Sequence, residues 1–105
     1  MPHRARVLDI AAGNGAVATL AAEFSLDHQT EFFVAATDLA VVVTDLIGED
    51  KTRAARENIE FHGRVPCEQQ PFDDDSFDLV TSQFGFEYSD IARTLPEVRR
   101  VLVPN

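Results

Sequence analysis

Cysteine is nearly absent: Cys67 is the single one in 105 residues. No internal disulfide can form, and a cysteine-rich metal site is excluded. Basic residues are also scarce, nine Lys and Arg against 18 Asp and Glu, which gives a net charge of -9 and a pI near 4.5. Affinity for nucleic acid comes mainly from cations that neutralise phosphates, so this balance argues against a nucleic-acid partner. There is no run of about 18 apolar residues to span a bilayer, and Met1-Pro2-His3-Arg4 lacks the apolar segment of a signal peptide. No membrane partner and a cytoplasmic location are therefore expected. His3, His28 and His62 are scattered among polar neighbours and read as surface residues. Asp73-Asp74-Asp75 lacks the spaced ligands and closing glutamate of a calcium loop, reads as a solvated turn, and leaves no metal expected.

What remains is an ordinary globular composition, 45% hydrophobic. The length allows at most one domain, spanning 1–105, near the lower end of what buries a good core.

Several local signals agree on one stretch, Val7 to Ala18. Arg6 to Ile10 suits a buried parallel strand, and from Ala16 onward apolar residues recur at helical spacing. Gly13 and Gly15 stand at the junction, where glycine permits a sharp turn and lets a ligand approach the backbone beside a helix N-terminus. Gly13-Asn14-Gly15-Ala16-Val17-Ala18 also fits the dinucleotide fingerprint, whose ligand is a pyrophosphate. Asp9 opposes that ligand: a carboxylate four residues before Gly13 would face the same crevice and repel a phosphate. A cationic ligand without phosphate, such as S-adenosylmethionine, is favoured.

Asp9-Ile10-Ala11-Ala12-Gly13-Asn14-Gly15 resembles the first motif of class I S-adenosylmethionine-dependent methyltransferases, roughly Asp-x-Gly-x-Gly-x-Gly, with Ala11 in the place of the first glycine. The resemblance implies that Asp9, Ala11, Gly13 and Gly15 border the cofactor. Glu31 to Asp38 reads as the second strand, and Asp38 lies 23 residues after Gly15, where an acid commonly accepts from ribose hydroxyls. The resemblance assigns the same role to Asp38 and sets Leu39 beside the adenine. Val41-Val42-Val43-Thr44-Asp45 is the competing strand, with Asp45 as the alternative ribose acid.

A helix follows from about Glu49 to Asn58, with Lys51, Arg53, Arg56 and Glu57 on a solvated face, then a third strand to His62. Pro66 to Val80 resembles the family signature in which an acid and its neighbour reach the adenine, followed by a Pro-Phe pair and Ser-Phe-Asp leading into the fourth strand. Glu68 would accept from the exocyclic amine and the Cys67 amide would donate to a ring nitrogen; many family members carry Asp where this chain has Pro66. Phe77 reads as core and Asp78 as a backbone acceptor at the strand start.

The fourth strand, Leu79 to Ser82, delivers Ser82 to Asp90 to the carboxyl end of the sheet, where ligands of open α/β sheets bind. Gln83 is placed against the methionine part of the cofactor, and Phe84 and Tyr88 against the acceptor pocket. Two helical faces are expected: Val17, Leu20, Ala21 and Phe24 as core on the first helix, which Ser25 to Thr30 ends, and Ile91, Leu95, Val98 and Leu102 on the last. Pro96 suits only a first turn, so regular helix is expected from near Leu95, with Glu97 and Arg100 or Arg99 toward solvent. Glu97 to Pro104 resembles the family segment that precedes the fifth strand.

The expected fold is a partial Rossmann-like α/β three-layer sandwich of about four parallel strands, the cofactor-binding half of a seven-stranded domain. An uncovered strand edge or helix face would promote homo-oligomers or marginal stability. The implied activity is methyl transfer to a small molecule, an in-line displacement in which positioning does most of the work, so no catalytic residue is assigned. Two other readings stand beside it: a non-catalytic cofactor-binding or assembly module of the same fold, and the NAD-binding half of a dehydrogenase, which Asp9 and the Pro71 to Val80 stretch oppose.

Overall fold

The computed structural model describes residues 4–13, 16–28, 31–39, 50–82 and 89–104. Along the chain these form β1 (Arg4–Asp9), α1 (Ala16–His28), β2 (Glu31–Thr37), α2 (Asp50–Glu57), β3 (Ile59–His62), β4 (Leu79–Thr81) and α3 (Ile91–Val101). The strands make one parallel sheet in the order β3-β2-β1-β4. The strand order thus reverses beside β1, which lies between β2 and β4 with Leu8 facing Ala35 on one side and Val80 on the other.

Side chains alternate across the pleat, and each face acquires its own core. Val7, Val34, Ala36 and Ile59 pack against Ala18 and Ala22 of α1 and Ala55 of α2. Leu8, Ile10 and Ala35 pack on the opposite face against Phe77 and Val101, with Phe72 and Val98 at the margin. The result is a three-layer α/β/α arrangement with four strands among the described residues, the partial Rossmann-like sandwich that the sequence predicts. Phe77 is core, and the Asp78 carboxylate accepts the Arg6 amide at 2.7 Å, so both expectations for this pair hold.

Both helical faces need correction. On α1 the buried residues are Ala18, Thr19 and Ala22, while Leu20 is 65% exposed and Phe24 is half-exposed, stacked on Phe32. Small side chains let the helix lie close to the sheet, so size was a misleading guide to the inner face. The helix also runs past Phe24 to His28, and Ser25 turns its hydroxyl to the Phe32 amide at 3.2 Å. On α3 the buried residues are Thr94 and Val101, whereas Ile91 and Leu95 are exposed. Regular helix begins at Ile91, so Pro96 falls inside it and not in the first turn. Of the residues expected toward solvent Arg99 is exposed, whereas Glu97 and Arg100 are half-buried and bond each other and the segment before β4. Arg56 likewise leaves the solvated face, donating to the Thr19 hydroxyl at 2.9 Å and lying over the Phe61 ring.

Among the described residues β4 has one strand neighbour along Leu79–Thr81, and Leu79 is exposed, which leaves an open edge there among those residues. Just before it, Phe77 forms a parallel bridge with Leu102, so the chain leaving α3 returns to the same edge.

Candidate functional site

The site is built where β1 and β2 end. Parallel strands deliver their carboxyl ends to one rim, and beside a reversal of strand order the following loops diverge and leave a crevice. The turn after β1 is pinned on both sides: Ile10 donates to the Thr81 carbonyl and Ala12 to the Thr37 carbonyl, each at 2.9 Å. Gly13 donates its amide to Asp38 Oδ2 at 2.8 Å. The turn uses two left-handed residues, Ala11 at φ 51° and Gly13 at φ 59°. Glycine adopts that region freely, whereas an L-residue is strained in it.

Asp9 ends β1 and is buried, 1% exposed. Its carboxyl accepts from the Thr81 hydroxyl at 3.1 Å and from the Ala18 amide at the start of α1. Burial pushes its pKa up, the two hydrogen bonds oppose that shift, and the nearby Asp38 charge adds to it. Asp9 therefore fastens β1, β4 and α1 together behind the site and is not part of the cavity wall.

The wall itself comes from three separate segments. A cavity of about 320 Å³ is lined by Ala11 from the glycine turn, Asp38 and Leu39 from the end of β2, Pro66, Cys67 and Glu68 from the loop after β3, and Ser89 and Asp90 before α3. Three of these residues are carboxylates and none is basic. Burial, with Glu68 and Asp38 nearby, raises the pKa of the Cys67 thiol, which keeps it protonated and a poor nucleophile. Among the described residues no group of three His, Cys, Asp or Glu could hold a metal ion, and no helix is long and apolar enough to cross a membrane.

The loop after β3 owes its position to Gln70, which is buried. Its Oε1 accepts from the Thr37 hydroxyl at 2.9 Å and its Nε2 donates to the Pro66 carbonyl at 3.0 Å. From α3, Glu97 accepts the Gln70 amide at 2.6 Å and Arg100 donates to the Gln70 carbonyl at 3.1 Å. The Arg100 guanidinium also bonds Asp74 and the Phe72 carbonyl, and its hydrogen bonds hold the Glu97 carboxyl below the usual carboxylate range.

Of the residues singled out from sequence, the cavity brings together Ala11, Asp38, Leu39, Cys67 and Glu68, and Gly13 reaches it through its bond to Asp38. Asp9 lies behind it. Gly15, Asp45, Gln83, Phe84 and Tyr88 fall outside the described residues. The sequence places the Ser82 to Asp90 segment at this rim without singling out Ser89 or Asp90, and it gives no sign of the Thr37–Gln70 pair. Ser89-Asp90 ahead of an apolar helical repeat is a helix-start signal that would have marked where that segment turns. A larger cavity, about 670 Å³, opens at the amino ends of the strands between Arg4, Arg6, Phe32 and Phe33. It is remote from the glycine turn, and its two arginines are paired with Glu31 and Asp78.

Residues 7–105 match the methyltransferase domain family. The ubiquinone/menaquinone biosynthesis C-methyltransferase UbiE of Geotalea daltonii is 34% identical over 94% of the chain and 41% of its own length. The uncharacterized methyltransferase YcgJ of Bacillus subtilis is 38% identical over 92% of the chain and 36% of its own length. Its crystal structure superposes with a TM-score of 0.67 at 33% identity, over 96% of this chain and 41% of that one. A Haemonchus contortus phosphoethanolamine N-methyltransferase, solved with phosphoethanolamine and S-adenosylhomocysteine, gives a TM-score of 0.67 over 100% of this chain and 22% of its own; at 21% identity it speaks for the fold alone. The chain spans about 40% of the length of the curated relatives it matches. On the match across residues 7–105, supported by the superposition on YcgJ, the chain belongs to the methyltransferase domain family.

Proposed function

We propose that the chain forms the S-adenosylmethionine-binding part of a methyltransferase that acts on a small molecule, 1–105 being one partial domain, and that the acidic cavity receives the adenosyl half of that cofactor. One observation carries this reading: the cavity at the ends of β1 and β2 presents Asp38, Glu68 and Asp90 and no basic side chain. A pyrophosphate would meet like charge on every side, whereas a sulfonium with an α-ammonium and no phosphate is attracted. The volume lies at the small end of the range for ligand pockets and suits a nucleoside-sized portion.

The residues present fit that portion. Asp38 offers a carboxylate for two adjacent ribose hydroxyls, and the exposed Leu39 offers apolar surface for the adenine ring. Glu68 accepts from the exocyclic amine and the Cys67 amide donates to a ring nitrogen. The Gly13 and Gly15 backbone borders the cofactor, Gln83 contacts its methionine part, and Phe84 and Tyr88 shape the acceptor pocket. Asp9 acts from behind, by fixing the turn. When bound, S-adenosylmethionine supplies a methyl group on a ready-made leaving group. The protein's task is to hold donor and acceptor in line and exclude water, and no proton transfer is assigned to any side chain. A small-molecule acceptor agrees with the UbiE relatives, which are named for quinone biosynthesis.

Calorimetric titration with S-adenosylhomocysteine and with NAD tests the proposal. Binding of the first and not the second is expected, and Asp38→Ala should weaken it by roughly tenfold or more, as loss of a charged hydrogen-bond acceptor does. NAD binding without S-adenosylhomocysteine binding would overturn it. Cofactor binding without methyl transfer to any of a panel of metabolites would favour the non-catalytic module.

A further inference from the structure

We infer that Gln70 is a positioning residue for the cofactor cavity: it locks the Pro66–Glu68 wall to the end of β2 and ties both to α3. The inference rests on the cofactor reading of that cavity. Every polar group of Gln70 is engaged, and by different parts of the chain. Its side-chain oxygen takes the Thr37 hydroxyl at 2.9 Å, and its side-chain nitrogen bridges the Pro66 carbonyl at 3.0 Å and the Cys67 carbonyl at 3.5 Å. Its main chain is gripped from α3 by Glu97 at 2.6 Å and Arg100 at 3.1 Å.

These partners are neighbours of the cavity on each side. Thr37 directly precedes Asp38, and its carbonyl accepts the Ala12 amide of the glycine turn at 2.9 Å. Pro66 and Cys67 are themselves wall residues. One side chain therefore sets the spacing between Asp38, which would meet the ribose, and Cys67 and Glu68, which would meet the adenine. A buried side-chain amide whose oxygen and nitrogen both face fixed partners has one low-energy orientation, whereas an apolar residue of the same size would remove the side-chain donor from the loop's carbonyls. Gln70 lies outside the cavity lining, so its effect on a ligand is indirect.

The experiment pairs removal of both polar partners with a conservative control. Thr37→Val with Gln70→Leu replaces the buried pair by apolar groups of similar shape, which avoids stranding one partner of the Thr37–Gln70 bond, and the Pro66 carbonyl keeps the Gln69 amide at 3.1 Å. Thermal scans are expected to show a cooperative transition, lowered by the loss of the side-chain donor to the Pro66 and Cys67 carbonyls. Titration with S-adenosylhomocysteine is expected to show a loss of about tenfold, the equivalent of one lost positioning hydrogen bond. Thr37→Ser, which keeps the hydroxyl, is expected to bind within about threefold of the unaltered chain while Thr37→Val does not, and that single pair decides the matter should the double variant fail to fold. Unchanged affinity in Thr37→Val and in the folded double variant overturns the inference while the cofactor reading stands. If the unaltered chain does not bind S-adenosylhomocysteine, the cofactor reading fails first and this inference falls with it.

Discussion

Ala11 occupies a left-handed conformation, φ 51°, at a turn where Gly13 does the same at φ 59°. For an L-residue that region costs about 1–2 kcal/mol, while glycine gives up roughly 0.4–1 kcal/mol through the larger entropy of its unfolded chain. Ala11 is half-buried at the cavity rim, so at most part of one methyl group's burial is lost with it. Ala11→Gly should therefore stabilise the fold by about 0.5–1 kcal/mol. For a domain of this size that corresponds to a rise of roughly 2–8 °C in Tm, read by circular dichroism. Gly13→Ala supplies the internal control: a Cβ there meets nothing within 4 Å, so only the backbone term changes and an equal and opposite shift is expected. The double variant should melt close to the parent. If both single variants lower Tm, the turn is not limited by backbone strain at Ala11 and the reasoning fails.

Burial raises the Asp9 pKa, so the native state favours its protonated form; the stability it contributes is full below 3.8 and lost as pH rises through the folded value. Asp9→Asn, neutral and still an acceptor for Thr81, should thus melt above the parent at neutral pH by a margin that shrinks as pH falls toward 3.8; a constant margin would show that charge is irrelevant there. Pro96→Ala restores an amide inside α3 and should stabilise by about 1–3 kcal/mol, measured by urea unfolding, with a neutral result excluding a helix penalty. Glu97 and Asp78 have lowered pKa values, from bonds to Arg100 and to the Arg6 amide, so their contribution is present above their ordinary values of 4.5 and 3.8 and is lost below them. Arg100→Ala should flatten that acid limb in pH-dependent melts, and an unaltered limb would assign it to other carboxylates. The exposed Leu79 and Leu95 should drive concentration-dependent association in sedimentation, which Leu79→Lys and Leu95→Lys together reduce; a monomer at every concentration removes the open edge as a cause.

The strands were legible because each couples an apolar run to a terminal polar residue: Asp9 after Val7-Leu8, Asp38 after Val34 to Thr37. The same logic gathered Ala11, Asp38, Leu39, Cys67 and Glu68, whose order along the chain anticipates their meeting at one rim. Helix faces were not legible, because on α1 the periodic large residues Leu20 and Phe24 compete with the small stripe Ala18-Ala22, and only contact with the sheet decides between them. Pro96 misled for a related reason, since tertiary packing of Thr94 and Val101 carries the helix through a residue that disfavours it. Gln70 was invisible in sequence because it owes its importance to Thr37, 33 positions away, and a pairing at that range leaves no local pattern.

The bond between Gly13 and Asp38 Oδ2 gives the crevice a resident competitor. Any hydroxylated guest that claims this oxygen must share it with the main chain or displace that amide, and displacement frees the bend between β1 and α1 to shift. Occupancy and bend geometry are then two readings of a single equilibrium, so a probe on the bend would report the guest's arrival without touching it.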